Sequence, residues 1–191
     1  SGASASTGAG GIALASPDNP VTLPLYDDIP AIDDGLSPEP GPLRVYNWND
    51  YIYKKVLKQF QDEYDVEIEF TQFAGMAEAM NKVQNDTIQW DLFFPTIENV
   101  GKLAFGELIQ PLNKTYLPNF SNVWAVYQDP YYDQGAQFTV PYTVYTTGIG
   151  YRSDRVDPPT SWNALFDSRW AGRISVLDSK GDVMDQALLA A

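Results

Sequence analysis

The chain of 191 residues contains no cysteine and no histidine. That excludes disulfide staples, Cys-His and Ser-His-Asp catalysis, and the usual zinc ligand sets. Cysteine-free sequences are compatible with either redox compartment, so this absence does not locate the protein. Positive charge is also scarce: 12 Lys and Arg stand against 25 Asp and Glu, a formal net charge of −13 with a pI near 4.1. Such a balance argues against nucleic acid or an anionic membrane as the main partner and is compatible with a cationic ligand. No run approaches the ~20 apolar residues of a membrane span, and no basic-then-apolar signal segment is present. What is abundant is apolar and aromatic content, 44% and 14%, ample for a packed core.

Residues 1–42 differ in kind from the rest. They hold seven of the 14 prolines (Pro17, Pro20, Pro24, Pro30, Pro38, Pro40, Pro42), six acids and no basic residue. The first eleven residues are small and low in complexity and read as a flexible linker. From Ile12 to Leu36 apolar residues return between prolines, which predicts an extended arm on the domain surface without regular structure.

After Gly41-Pro42 the pattern becomes periodic. Residues 43–48 read as a strand, and Ile52, Val56, Leu57 and Phe60 recur at helical spacing through Tyr64. Val66, Ile68 and Phe70 alternate with Glu67 and Glu69 as a second strand. Met76, Met80 and Val83 mark a second helix, read as a core stripe, and residues 90–94 form a short, continuously apolar third strand of the buried parallel type. Strand, helix, strand, helix, strand is a doubly wound α/β unit.

Turns at the carboxyl ends of parallel strands are where such sheets bind ligands. The first turn carries Trp48, Asn49, Asp50 and Tyr51: two aromatic faces, an amide and a carboxylate, suited to a cationic, partly apolar guest, or else an aromatic cap on the core. The third strand brings Pro95, Thr96, Ile97 and Glu98 to the same sheet end, where Glu98 is either an anchor for an amine or an acid complementing a helix dipole. Residues 127–135 form an aromatic, acidic loop whose Tyr131-Tyr132 pair could ligate ferric iron, though an exposed amphipathic loop is the commoner cause.

Downstream, 99–106 predict a short helix, 109–112 a surface strand, and 138–142 with 144–151 a long strand pair crossing between lobes. Ser161 is a good N-cap for a short helix through Phe166. A strand at 174–177, the turn Asp178-Ser179-Lys180-Gly181 and a helix from Asp182 follow. That helix reaches Ala191 without a stop signal, so the fold is expected to continue past it.

Five strings now stand in order: Y-N-W-N-D-Y-I at 46–52, D-L-F-F-P-T at 91–96, V-P-Y-T-V-Y-T-T-G-I-G-Y at 140–151, P-T-S-W-N-A-L-F at 159–166 and G-R-I-S-V-L-D at 172–178. Together they resemble the first half of polyamine-binding proteins of the spermidine/putrescine type, the extracytoplasmic receptors of ABC importers, over residues 43–191. The resemblance implies a type II periplasmic-binding-protein-like α/β fold of two lobes with ligand in the cleft between them. Its expected parts are a linker and arm (1–42), a first lobe (43–142), and the crossover with the beginning of a second, incomplete lobe (143–191).

In that family the first-turn Trp and Tyr, here Trp48 and Tyr51, pack on the ligand's methylene chain, while Asn49 and Asp50 face an amine. The third-strand turn supplies a hydroxyl residue, matched by Thr96, and then an aromatic, which Glu98 replaces here. The second-lobe turn usually carries acids that hold an ammonium; Ser179 and Asp182 occupy those places, so one acid is kept and one becomes a hydroxyl.

A polyamine is a set of ammonium charges on an apolar chain, so its receptor combines carboxylates with flat rings. Cation-π contacts contribute ~0.5 to 2 kcal/mol each, and charge-assisted hydrogen bonds ~1.5 to 3 kcal/mol. The expected function is a non-enzymatic receptor for putrescine or spermidine that delivers to ABC permease subunits, with no nucleic acid, no cofactor and no metal. It is placed outside the cytoplasm, with a lipid anchor in the precursor, and the incomplete lobes predict reduced stability or self-association. Rival readings are the same scaffold binding an amino-acid derivative, another organic cation or ferric iron, and a glycosidase using Asp50 and Glu98 as its carboxylate pair.

Overall fold

In the computed structural model, which describes residues 15–190, the central feature is a parallel three-stranded sheet in the order β2-β1-β3. Strand β1 (Leu43–Trp48) is its middle. Val45, Tyr46 and Asn47 are buried in succession, as expected for a strand covered on both faces. It runs parallel to β2 (Ile68–Phe73), from Leu43 opposite Ile68 to Trp48 opposite Phe73, and to β3 (Leu92–Phe93), with Tyr46 opposite Phe93. Helix α1 (Lys54–Tyr64) connects β1 to β2, and α2 (Met76–Gln84) connects β2 to β3. The doubly wound order predicted from the alternating periods is therefore present.

The third strand is shorter than the 90–94 expected. Its pairing nevertheless extends beyond two residues, because Asp91 N donates to the Arg44 carbonyl at 2.9 Å and Phe94 N to that of Tyr46 at 3.1 Å. Pro95, which has no N–H to donate, follows at once, and α3 (Ile97–Phe105) begins with Thr96 at its N-cap.

The core lies on the α2 side of the sheet. Tyr46, Phe73, Ala79, Met80, Val83 and Leu103 are buried together, with Trp48, Trp90 and Phe93 packed around them. Tyr46 stacks on Phe93 at 5.4 Å between centroids and meets Phe73 edge-on at 4.8 Å. The methionine stripe is core, as its spacing predicted.

A second cluster gathers Leu23, Val100 and Ala104, with Val21, Tyr132 and Phe138 against it. Here the described part of the arm enters the packing: Leu23 is only 3% exposed, and Val21 exchanges backbone bonds with Tyr131 and Gln134. Farther along, Asn113 donates to the Ile32 carbonyl and to Asp34, and Tyr116 Oη donates to the Asp33 carbonyl at 2.8 Å. The arm lies on the surface without helix or strand, as expected, but it also contributes a core residue. The linker predicted at 1–11 falls outside the described residues.

Three strand expectations are corrected. Residues 109–112, 138–151 and 174–177 form no strand. A strand needs a neighbour to take its backbone groups, and no strand lies beside these segments among the described residues. Val140, Val144, Val176 and Leu177, which suggested strands by composition, are exposed instead.

The chain divides into two compact units, the first reaching Tyr142 and the second starting at Thr143. The second holds 3-10 turns at Trp162–Phe166 and Ser168–Trp170 and helix α4 (Lys180–Ala190). The predicted cap is in place: Ser161 Oγ accepts from Asn163 N at 3.2 Å.

Candidate functional site: an aromatic turn at the carboxyl end of the sheet

The turn after β1 leaves the sheet where Asn49 N donates to the Phe73 carbonyl at 3.0 Å, the last bond of the β1-β2 ladder. Asp50 then adopts a left-handed backbone, φ 60°, which reverses the chain within two residues. Asp is among the few side chains that tolerate this conformation. Asn49, Asp50 and Tyr51 are exposed as a result, and Trp48 is half-buried.

Trp48 is held by its own polar tip. Its indole Nε1 donates to the Phe94 carbonyl at 3.0 Å, which ties the turn after β1 to the end of β3. Its ring sits 4.8 Å from Phe73 on the core side and 6.0 Å from Tyr51 on the open side. Trp48 is thus neither sealed in nor free: one face packs on the core and the rest borders the open turn.

Two further rings complete the cluster, and neither was singled out in the sequence. Phe94 meets Tyr142 edge-on at 4.8 Å, and Tyr142 Oη donates to the Tyr51 carbonyl at 2.6 Å. Phe94 could have been found as the last residue of an apolar strand before Pro95. Tyr142 was hidden by being read as part of a strand.

Thr96 and Glu98 lie at the start of α3, at the same sheet end. Here the side chains bond among themselves: the Thr96 hydroxyl donates to Glu98 Oε1, and the buried Asn99 donates from Nδ2 to Thr96 Oγ1 at 3.0 Å and to Glu98 Oε1 at 3.2 Å. Lys102 Nζ closes the chain of bonds on Asn99 Oδ1 at 3.0 Å. One carboxylate oxygen of Glu98 is therefore taken by its own helix start. Glu98 stays exposed.

Ser179 and Asp182 lie on the second unit. Ser179 precedes α4, and its Oγ accepts from Asp182 N at 3.4 Å, a long capping contact. Asp182, half-buried in the first turn of the helix, also complements the helix dipole. Val176, Leu177, Val183 and Met184 line an open depression there, shared with Ser179 and Lys180. Asp178 also lines it, so an acid and a base stand together there.

Residues 55–191 match the family described as bacterial extracellular solute-binding protein. The chain belongs to that family. Among the curated relatives of this solute-binding protein is a putrescine/cadaverine-binding protein of Pseudomonas aeruginosa, 32% identical over 155 residues that cover 76% of this chain and 44% of the relative. Another is a spermidine/putrescine-binding periplasmic protein of Escherichia coli, 28% identical over 149 residues, 76% of this chain and 43% of the relative. The chain thus spans less than half the length of these relatives.

Among solved structures, the spermidine/putrescine ABC transporter substrate-binding protein PotD of Streptococcus pneumoniae superposes with a TM-score of 0.61 at 25% identity. The likeness covers 69% of this chain and 41% of that one. The mixed helix and parallel-sheet architecture is therefore the periplasmic-binding-protein fold. Within this solute-binding protein, the Tyr131-Tyr132 pair is a packing feature: the rings stand at 85°, and Tyr132 belongs to the cluster around Leu23. Burial pushes the Tyr132 hydroxyl pKa up, which works against the phenolate that ferric iron would need.

Proposed function

We propose that this solute-binding protein captures a linear polyamine of the putrescine or spermidine class and hands it to the permease subunits of an ABC importer. The observation that carries the reading is the turn after β1, which exposes the Trp48 and Tyr51 rings beside the unpaired carboxylate of Asp50. The names of the relatives point to the same ligand class. In this reading Trp48 and Tyr51 pack on the methylene chain, with Asn49 and Asp50 facing an amine. Glu98 adds negative charge beside Thr96, and Asp182, with Ser179, serves as a further ammonium partner.

The proposal places the protein outside the cytoplasm, anchored by lipid in its precursor, and includes self-association of the chain. Exposed apolar residues in the second unit, among them Leu177, Met184, Leu188 and Leu189, support association. Light scattering that finds only monomer at all concentrations would remove that part.

Isothermal titration with putrescine, cadaverine and spermidine tests the ligand. Trp48→Ala removes one aromatic wall worth ~0.5 to 2 kcal/mol and should weaken binding by about two- to thirtyfold. Absence of heat with every polyamine tried would overturn the ligand assignment.

A further inference from the structure

The rings at the site are held from outside the turn that bears them. Between Asn49 N on the Phe73 carbonyl and the start of α1 at Lys54, the turn passes through the left-handed Asp50 and carries Tyr51 at its exposed tip, 49% exposed. Neither a strand partner nor a helix bond fixes that tip; it lies between the two elements. The polar contact that reaches it comes from 91 residues later: Tyr142 Oη on the Tyr51 carbonyl at 2.6 Å. The Tyr142 ring is itself seated on Phe94, whose carbonyl takes the Trp48 indole N–H at 3.0 Å. A closed circuit results, from Trp48 to Phe94 to Tyr142 to Tyr51 and back to Trp48 across 6.0 Å.

Tyr142 is also the last residue of the first unit, directly before the segment 143–151, which has no regular structure. Upstream, Asp133 takes the backbone N–H groups of Gln137, Phe138 and Thr139, the last of them three residues before Tyr142. The residue that ties down the Tyr51 turn therefore stands where the connecting segment departs.

We propose that Tyr142 is a positioning residue that fixes the Tyr51 turn. The link to ligand affinity rests on the polyamine reading above; the tie between Tyr142 and the turn does not. Because the bond acts on a carbonyl of the turn and the ring on Phe94, the two parts are separable by substitution.

The experiment compares the parent chain with Tyr142→Phe, which keeps the ring and deletes the hydroxyl, and Tyr142→Leu, which removes both contacts. Backbone amide order parameters of residues 49–53 are measured by NMR without ligand, beside melting temperatures. Putrescine titration of the same samples follows. In Tyr142→Phe the order parameters should fall from the rigid range near 0.85 toward about 0.6, with the melting temperature nearly unchanged. Putrescine Kd should rise about two- to tenfold, the size of one net hydrogen bond. Tyr142→Leu should show the larger effect on both.

Unchanged order in both variants overturns the proposal. Lowered order with unchanged Kd overturns the link to binding. A parent chain that binds no putrescine defeats the ligand reading instead, while the order parameters still decide the tie.

Discussion

The carboxylate of Asp133 is fully buried and accepts from the N–H groups of Gln137, Phe138 and Thr139 and from the Thr139 hydroxyl, at 2.8 to 3.1 Å. It organises the loop that delivers Tyr142. Asp133→Ala leaves those part-buried donors without their acceptor, and we expect a loss of about 1 to 3 kcal/mol in chemical denaturation, with Asp133→Asn losing less. Asp34 acts at the surface. Bonds from Asn113 and Thr115 hold its pKa below the ordinary 3.8, so the folded form prefers the carboxylate. Its contribution is complete above that value and is lost as pH falls through the lower, folded pKa. Asp154 and Asp167, held down by Arg152 and Arg169, act in the same direction. Melting temperatures should therefore fall as pH is lowered below 3.8 and on through the depressed folded values, less steeply in Asp34→Asn. Single residues were unevenly legible: Met76, Met80 and Val83 announced themselves by spacing, whereas Asp133 read only as one acid in an acidic loop.

Elements with a strong period were legible to within a few residues, because β1, β2, α2 and α3 each send side chains into one shared core. Boundaries depended on chemistry that the period does not report. Helix α3 ends at Gly106, where an added Cβ would stand 2.9 Å from the Lys102 carbonyl oxygen. Gly106→Ala must shift the helix end, so a loss of about 1 to 3 kcal/mol is expected by denaturant titration. Helix α1 shows the opposite case. Its apolar positions have the right spacing, yet none is buried, and Val56 and Tyr64 remain at least half exposed. It begins on Lys54 and Lys55 and carries Asp62 and Glu63 toward its end, an arrangement that opposes the helix dipole. Amphipathicity predicted the helix without predicting what covers it. The segment 138–151 failed for the same reason: β-branched composition cannot make a strand without a neighbour.

The whole molecule distributes its core unequally. The buried apolar residues lie in the first unit, while in the second, Gln186 is the buried residue among those described. So little burial cannot offset the conformational entropy of ordering that many residues. Hydrogen exchange should accordingly rank the amides of α4 at least tenfold faster than those of β1 and α3; equal protection would contradict this account.

The sequence by itself determined the α/β class, the central β1 strand, the core stripe of α2 and the aromatic-acidic character of the turn at 48–51. These follow from periodicity and residue chemistry over a few consecutive positions. Tertiary structure decided which of those features have partners. Only the fold could bring Tyr142 onto the Tyr51 carbonyl, turn Glu98 back on Thr96, bury Leu23 from an arm expected on the surface, and leave 138–151 without a strand to pair with among the described residues. Each of these is a contact between distant parts of the chain, or the lack of one, and local pattern carries no record of distance in space.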